Sequence, residues 1–492
     1  MDLIHIIFII YLLFLLIMGF LSSKYNNTQE DYLLAGRNLG PWITAFSERA
    51  SGESAWLLLA LPGAAITVGL VESWTVLGII TGIILSWFLI AEKLRNETEK
   101  FNALTIPQYL HRKFNDKSNI IILFSSIIIS FFFLFYVSAQ FHASGKVIKS
   151  LFGIDPIFGI TIGALVIIIY TLLGGFYAVA WTDLVQGILM IGTLVILPIA
   201  GFIELASSDI NIPNALEEAN YVFKNNNNSF FMGKSGLSAV AAIFGGLSWG
   251  LGYLGQPHLV IRYMAIRSTK EIRIARNIAI LWAIPGITGA FFVGIVALLY
   301  FGPEYFLLVD PEQAMPLLAI EILHPMISGI FISGAVAAMM STADSQLLVS
   351  TSAITQDLYH QYLGKNLKES SLVKLSRIMI IFLGLIAYFI AIVSEFQGKK
   401  IFGIVSYAWS GLGSSFGPVL LMTLWWEKTT RKGVISGLIT GFFTTIIWSN
   451  SIFLKSMITE RFISFIFALI AIYLVSLNTK DENKRSYTKS EE

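Results

Sequence analysis

The stretch GAVAAMMSTADSQLLVSTSAITQDL, Gly334 to Leu358, is long enough to cross a bilayer, yet its centre is polar. On a helix at about 100° per residue, the hydroxyls of Ser341, Thr342 and Ser345 share one face, with Asp344 beside it. Membrane Ser and Thr often bond only to a carbonyl of their own helix, but an ionised Asp at mid-bilayer costs about 2.5–3.5 kcal/mol. Because oxygen ligands beside a negative charge suit a small hard cation such as sodium, the stretch predicts an ion site.

The composition is that of an integral membrane protein. Of the 492 residues, 55% are hydrophobic and only 13% are charged, whereas soluble domains carry about 25% charged residues. Apolar runs of roughly 20 residues recur along the whole chain, which predicts helices rather than a barrel. The absence of cysteine excludes disulfides and thiolate metal sites. No HExxH or P-loop pattern is present, so we expect neither an enzyme nor a cofactor.

About thirteen membrane spans are expected, and the chain is expected to form a single transmembrane domain. Placing the N-terminus outside and the C-terminus in the cytoplasm puts the basic loops Lys93 to Lys117 and Arg262 to Arg276 on the cytoplasmic side. The first run, Ile4 to Leu21, lacks a basic n-region and an A-x-A cleavage signal, so we expect a retained helix. The polar tail, residues 478–492, is too short for a soluble domain. The expected spans are 4–22, 42–69, 73–92, 119–145, 155–174, 184–205, 236–257, 277–301, 324–358, 375–395, 402–426, 434–453 and 461–477.

Two of these spans are interrupted. The second reads PWITAFSERASGESAWLLLALPG (41–63), with Gly52 inside a polar run, and the seventh reads IFGGLSWGLGYLGQPHL (243–259), with five glycines before Pro257. They stand five spans apart, so each could open one half of an inverted duplication, spans 2–6 and 7–11. Glycine is also common where membrane helices pack closely. Broken helices need a water-lined cavity for their free amides, so the pattern indicates a transporter's central site.

The second and ninth spans together predict an oxygen cage. Unwinding at Gly52 and the serine before it would free backbone carbonyls around Ala50 and Glu53. These could face the carbonyl oxygen of Ala338 and the hydroxyls of Ser341 and Thr342. Sodium tolerates such a cage, and its binding would tie the two spans together and bias one access state.

Aromatic residues of the seventh span suggest where a solute would bind. Trp249 and Tyr253 lie four residues apart and precede Pro257, so they share a face beside freed backbone amides. That arrangement suits a small amphipathic solute with a carboxylate. A packing or membrane-interface role is the alternative, and Tyr136 in the fourth span could simply pack.

Four motifs, in order, resemble the sodium:solute symporter family, and most of all its sodium/proline branch. They are ASGESAWLLLALPGA (50–64), GGFYAVAWTDLVQ (174–186), SWGLGYLGQPH (248–258) and AAMMSTADSQLLVSTSAITQDLY (337–359). The resemblance covers nearly the whole chain. It implies the all-α LeuT-type fold of thirteen helices, with an inverted five-helix repeat and alternating access. The single domain 1–492 would then comprise an N-terminal helix and loop (1–40), two repeats (41–206 and 235–426), and C-terminal helices with a cytoplasmic tail (427–492).

The resemblance also assigns candidate site residues. The family's main sodium site falls on the backbones of Ala50, Glu53 and Ala338 and the hydroxyls of Ser341 and Thr342. Asp183 matches the family's intracellular-side carboxylate linked to sodium passage, so Asp183, Asp344 and Ser345 are candidates for a second cation site or a sodium pathway. A helix-start role is the alternative for Asp183. The substrate-contacting positions fall on Ser54, Tyr136, Trp249, Tyr253 and Pro257, with Tyr136 as a gate.

One position departs from the branch. Proline symporters that resemble this chain carry an essential Asp in the second span, where this sequence has Gly52, followed by Glu53 and preceded by Glu48 and Arg49. We expect Glu53 to supply the missing charge near the sodium cage; a different stoichiometry or coupling ion is the alternative. Arg49 and Glu53 are four residues apart, so they would pair if the helix continues between them.

These observations predict a secondary active symporter that couples sodium entry to proline uptake. The expected partners are sodium, the solute and membrane lipid, with no nucleic acid, and the resemblance implies a bacterial cytoplasmic (inner) membrane. A sodium- or proton-coupled symporter for another small carboxylate or a sugar is the alternative. A cation channel is disfavoured because two broken helices imply an occluding central site, and a membrane enzyme would need a nucleophile with its base, which no motif supplies.

Overall fold

The computed structural model describes residues 2–22, 34–173, 175–207, 212–224, 227–363 and 369–479. The tail beyond residue 479 lies outside this part. The described residues form helices, with no strands among them. The α- and π-helical segments are Leu3–Ser22, Pro41–Gly52, Trp56–Ala60, Leu61–Val68, Ser73–Ser86, Trp87–Ala91, Glu92–Lys100, Ile106–Lys113, Ile120–Phe152, Pro156–Leu173, Phe176–Ala206, Ile212–Phe223, Gly236–Leu247, Trp249–Gly252, Pro257–Ala265, Thr269–Phe301, Tyr305–Leu308, Ala314–Ile322, Pro325–Ser352, Ala353–Tyr362, Glu369–Phe396, Ile401–Trp425, Arg431–Asn450, Ile452–Met457 and Glu460–Asn478. The 3-10 turns are Ala35–Arg37, Gly69–Glu72 and Pro311–Gln313.

Every predicted span overlaps one of these helices, but not all of the helices are long enough to be counted as spans. Within the described ranges, eight helices are long and apolar enough to cross a membrane, and a bent pair would make nine. One of the eight, Trp56–Lys100, has 45 residues, about 68 Å at 1.5 Å per residue, or twice a bilayer core. Gly69, at φ +73°, interrupts its helical backbone, so this stretch has room for two spans. The count of thirteen stays a prediction.

The helix Pro325–Ser352, which contains the polar stretch and is called the polar helix below, lies at the centre of the protein. It packs against Leu3–Ser22, Pro41–Gly52, Ile120–Phe152 and Phe176–Ala206. From Phe331 to Ser352 every side chain is buried. A helix buried all round meets protein rather than lipid on each side, so its polar face must find partners within the protein.

The glycines of the seventh span serve close packing as well as a break. A Cβ at Gly250 would lie 2.1 Å from the carbonyl oxygen of Gly78, and one at Gly255 would lie 2.1 Å from the amide nitrogen of Gly417. Any larger residue would therefore push this span away from Ser73–Ser86 or Ile401–Trp425. The glycines of this span therefore fit both interpretations: they allow close helix packing and they lie in a broken helix.

Contacts between loops agree with the predicted alternation of sides. Arg431 Nε lies 2.7 Å from Asp116 Oδ1, and both were expected on the cytoplasmic side. Lys146 Nζ lies 2.6 Å from Asp310 Oδ2, and both were expected outside. Each of these two ion pairs therefore joins residues of one predicted side, while the orientation of the protein in the membrane stays a prediction.

Candidate functional site

The first interrupted span is a broken helix, and its break lies slightly later than expected. The helix Pro41–Gly52 continues through Gly52, because the amide of Glu53 still donates to the carbonyl of Arg49 at 2.9 Å. Glu53, at φ −103° and ψ 65°, leaves helical geometry, and the helix resumes after Ser54. The expected unwinding at Gly52 and the serine before it is therefore wrong by one or two residues. Pro41–Val68 is called the first broken helix below.

The second interrupted span is also broken. Its helical segments end at Gly252 and restart at Pro257, with a bend of 41° between them. Pro257 occupies the first helical turn, where its missing N–H costs nothing. The segment 236–265 is called the second broken helix.

The polar helix reaches the first broken helix just before its break. Ser341 Oγ donates to the carbonyl oxygen of Ala50 at 2.9 Å and lies 3.1 Å from that of Ala338. Thr342 Oγ1 donates to the carbonyl oxygen of Ser51 at 3.0 Å. All of these residues are buried. The Ser341 hydroxyl therefore contacts a carbonyl of its own helix and one of the first broken helix. The structure thus brings together four of the five predicted sodium ligands: Ala50, Ala338, Ser341 and Thr342.

The side chain of the fifth, Glu53, lies in a buried charge cluster. Arg49 Nη1 lies 2.7 Å from Glu53 Oε1, so the predicted pair is confirmed. Arg49 also donates from Nε to Glu48 Oε2 at 2.6 Å, and its Nη2 contacts the other oxygen. The Tyr253 hydroxyl donates to Glu53 Oε1 at 3.0 Å. The cluster therefore joins the first broken helix to the second, and one carboxylate oxygen of Glu53 has no hydrogen-bond partner among the described residues.

The candidates for a second cation site also lie together. Asp183 Oδ2 accepts from Ser47 Oγ at 2.6 Å and lies 3.1 Å from Ser51 Oγ. Ser345 Oγ lies 3.0 Å from Ser51 Oγ and 3.2 Å from Asp344 Oδ1. This cluster adjoins the sodium candidates, because Ser51 supplies its hydroxyl to one and its carbonyl to the other.

Arg262, which the sequence reading placed in a cytoplasmic loop, is instead buried in this second cluster. It lies on the helix Pro257–Ala265, and its Nη2 is 3.3 Å from Asp183 Oδ2. Charge bias alone assigns an arginine after an apolar span to a loop. Pro257 restarts the helix, however, and returns Arg262 to the protein interior. The apolar residues Leu259 to Ile261, between Pro257 and Arg262, were the signal that could have shown this.

Three of the five predicted substrate residues, Tyr136, Trp249 and Tyr253, lie around Trp409. The ring of Tyr253 lies edge-on to Trp409 at 4.7 Å, and Tyr136 lies 6.4 Å from it. The hydroxyl of Tyr136 is buried and has no hydrogen-bond partner within the described part of the chain. Gln256, immediately before Pro257, donates to the Trp409 carbonyl at 2.9 Å.

Trp249 contacts three aromatic residues that the sequence reading missed: Trp56, Phe402 and Trp409. It stacks on Trp56 with centroids 5.6 Å apart and planes at 19°, and its carbonyl accepts from the Trp409 indole at 3.0 Å. Trp56 lies inside a quoted motif, four residues after Gly52, and could have been found from that position. Trp409 carries no motif, and only the packing of its helix brings it to the site.

Two broken helices that meet a buried polar helix define an all-α membrane protein of the LeuT type. A solved structure of a Na⁺-coupled sialic acid symporter, in a substrate-bound outward-open state, has the same fold: TM-score 0.79, 18% identity, 98% of each chain covered. MhsT in complex with L-phenylalanine is more distant, with a TM-score of 0.52 and 15% identity over 89% of this chain and 98% of that one.

The chain belongs to the sodium:solute symporter family, whose model matches residues 32–441. The high-affinity proline transporter PutP of Bacillus subtilis is 38% identical over 95% of this chain and 96% of its own length. The sodium/proline symporter of Escherichia coli is 38% identical over 96% and 92%, respectively. The expected family and the expected LeuT-type fold are thus confirmed, and this is a family of transporters rather than enzymes.

Proposed function

We propose that this chain couples the entry of sodium to the uptake of proline by alternating access. The family supports sodium symport, and relatives that match nearly the full length of the chain are named for proline. The observation that carries the proposal is the pair of buried hydroxyls, Ser341 and Thr342, on carbonyl oxygens immediately before the first break.

Sodium would bind where those hydroxyls and carbonyls meet. A site built from neutral hydroxyl and carbonyl oxygens, without a carboxylate ligand, suits a monovalent hard cation. The ion would take over the carbonyl of Ala50 from the Ser341 hydroxyl and recruit the backbone of Ala338 and Glu53. Because Ala50 and Ser341 belong to different helices, the ion favours whichever access state holds these helices together. Sodium would therefore be transported itself and would also drive the transport of the solute.

The solute would bind between the two breaks. Trp56, Trp249, Tyr253 and Trp409 offer aromatic faces to an apolar ring, while the positive end of the dipole of helix Pro257–Ala265 favours a carboxylate. Proline combines an aliphatic ring with a carboxylate in one small molecule. Ser54 and Tyr136 would close the chamber from the side of Ile120–Phe152.

The membrane arrangement follows from the same proposal. The protein would lie in a bacterial cytoplasmic (inner) membrane, with its N-terminus outside and its C-terminus in the cytoplasm. The first repeat would span 41–206 and the second 235–426, each opening with one of the broken helices. Two ion pairs, Arg431 with Asp116 and Lys146 with Asp310, each join residues of one expected side and agree with this arrangement.

Uptake by purified protein in proteoliposomes tests the function. With an inward sodium gradient, labelled proline should accumulate above its outside concentration, and without the gradient it should only equilibrate. A panel of other amino acids, sugars and small carboxylates identifies the solute by competition, and a proton gradient replaces sodium in a parallel set. Sodium flux that needs no solute would instead indicate a channel. If another solute accumulates and proline neither enters nor competes, the proline assignment is wrong.

Replacing Trp249 with alanine should weaken proline binding at least about tenfold, because it removes an aromatic face that would contact the ring, and a loss of only about 1.4 kcal/mol is tenfold in affinity. Tyr253→Ala should weaken it as well. Sodium binding, measured separately with ²²Na⁺, should change much less. Tyr253→Phe keeps the ring and removes the hydroxyl that contacts Glu53, so it separates stacking from hydrogen bonding. Trp42, whose side chain is 60% exposed, provides the Trp→Ala control. Equal losses of proline and sodium binding in Trp249→Ala would contradict a substrate-specific role.

A further inference from the structure

A groove with a volume of about 760 Å³ lies between the helices Glu369–Phe396, Ile401–Trp425 and Arg431–Asn450. Phe135, from the helix Ile120–Phe152, also lines it. None of the residues assigned above to sodium or to the solute is part of its lining. The groove is therefore a separate feature of the protein, and the central site does not account for it.

The lining of the groove changes from apolar to basic along its length. Ile386, Phe389 and Val393 follow one face of their helix, and the last two side chains are 65% and 51% exposed. These three residues span about 10 Å at 1.5 Å per residue, within a helix that is apolar enough to cross a membrane. Lys399 lies beyond the end of that helix, where a lysine reaches the membrane–water interface. The groove therefore has an apolar part at membrane depth and a charged part at its edge.

Three lysines supply the charged part: Lys399, Lys400 and Lys455. The lining, all of it within the described ranges, contains no carboxylate. The side chains of Lys399 and Lys455 are exposed and form neither an ion pair nor a hydrogen bond with any residue that the structure describes. The positive charge of the groove is thus not neutralised by its own lining.

Two carboxylates beside the groove have partners of their own. Asp310, which lies within electrostatic reach of Lys400, is 2.6 Å from Lys146 Nζ. Glu395, one residue beyond a serine of the lining, is 2.7 Å from His142 Nε2. Because Asp310 partly offsets Lys400, the charge available to a ligand is carried mainly by the other two lysines.

We propose that the groove binds one anionic phospholipid, with the phosphate at Lys399 and Lys455 and an acyl chain along Phe389 and Val393. Basic pockets between transmembrane helices bind anionic lipid headgroups. Charge complementarity selects an anionic headgroup over a zwitterionic one, and the exposed apolar wall selects a lipid over a soluble anion, which would leave that wall uncovered. In the proposed orientation, the lipid belongs to the outer leaflet.

Gly403 leaves space for this lipid. It lines the groove, and a Cβ there would meet nothing within 4 Å. At Gly411 of the same helix, a Cβ would instead lie 1.9 Å from the ring of Phe132. The free space is therefore local to the groove, and a large side chain at position 403 can occupy it without a clash at its Cβ.

Native mass spectrometry of the purified protein, titrated with phosphatidylglycerol or with phosphatidylcholine, tests the charged part. Wild type should retain one tightly bound phosphatidylglycerol at concentrations where it does not retain phosphatidylcholine. Lys399→Gln/Lys455→Gln should weaken phosphatidylglycerol binding at least about tenfold, because each lysine near an anionic headgroup contributes severalfold. The matched control is Lys224→Gln/Lys234→Gln, which removes two exposed lysines expected on the same side of the membrane. It should bind the lipid as wild type does.

Gly403→Phe tests the space without changing any charge. It should also weaken phosphatidylglycerol binding at least about tenfold. Gly192→Phe is the control, because a Cβ at Gly192 also meets nothing within 4 Å but lies outside the groove. A monodisperse Gly403→Phe protein that binds phosphatidylglycerol like wild type would overturn the inference.

Other results would also overturn it. Equal retention of phosphatidylcholine by wild type would show that the lysines do not select the headgroup. Displacement of the lipid by an equal concentration of inorganic phosphate would show a site for a free anion, and a dimer that is lost in Gly403→Phe would show a second copy in the groove. Because lipid retention is measured without sodium or proline, none of these results bears on the proposed symport.

Discussion

The double variant Ser341→Ala/Thr342→Ala is expected to need at least about ten times more sodium for half-maximal uptake. Each hydroxyl contacts a carbonyl of the first broken helix. A lost contact to a charged group costs roughly 1.5–3 kcal/mol, and about 1.4 kcal/mol is a tenfold change in affinity. Water entering the gap would offset part of the loss, so tenfold is the lower bound. Sodium titration of proline uptake in proteoliposomes, at matched protein density, measures the effect.

The control for this variant lies on the same helix. Ser333 Oγ donates to the carbonyl of Gly329 at 2.7 Å, within the polar helix itself. Ser333→Ala removes a buried hydroxyl without touching the first broken helix, so its sodium dependence should be close to wild type. If the double variant inserts normally and shows unchanged sodium dependence, the cage does not lie at Ser341 and Thr342.

The helices could be predicted because apolar runs of membrane length are a property of local composition. The polar helix could also be recognised from composition, because hydroxyls and a carboxylate within an apolar run are costly unless they have partners. The number of true crossings was less accessible. Trp56–Lys100 shows why: its π-helical segments and the 3-10 turn after Gly69 keep it nearly continuous along the chain, although its length exceeds one bilayer.

The register of the first break was harder to predict than its existence. Glycine disfavours a helix only weakly, by about 1 kcal/mol, so Gly52 marked a weak point without fixing the break. The Arg49–Glu53 ion pair spans the last turn, and we infer that it keeps the helix intact through Gly52. A sequence pattern shows that such a pair could form, but not that it competes successfully with unwinding.

The partners of the site depended on tertiary packing. Arg262 was assigned to a loop because an arginine next to an apolar span is usually a cytoplasmic loop residue and is rarely buried. Trp409 comes from a helix that none of the four motifs covers, although the stretch SGLGSSFGP (410–418) follows it directly. It contacts Trp249, Tyr253 and Gln256. Most residues of the site that lie in motifs were assigned, with Trp56 as an exception, whereas Trp409 and Arg262, which lie outside the motifs, were not.

The second large effect is expected at Glu53. We predict that Glu53→Gln raises the sodium concentration for half-maximal uptake at least about tenfold, because it removes a buried negative charge adjoining the predicted cage. The charge cluster also stabilises the fold: breaking a buried ion pair costs roughly 3–5 kcal/mol. Folded yield must therefore be matched before the sodium titrations are compared. A purely structural pair predicts a lower yield and normal sodium dependence in the protein that survives.

Gly52→Asp in the Glu53→Gln background separates these two roles. A Cβ at Gly52 would lie 3.8 Å from Arg49 Nη2 and 3.3 Å from a methyl carbon of Leu259. An Asp there could therefore restore a carboxylate beside Arg49, provided that the Leu259 side chain moves by a few tenths of an ångström. We expect partial recovery of sodium activation with Gly52→Asp and none with Gly52→Asn, which has the same shape without the charge. Because both substitutions disturb Leu259 equally, a difference between them reports the charge alone. Normal sodium activation in Glu53→Gln itself would show that the cage works without a nearby acid at this position.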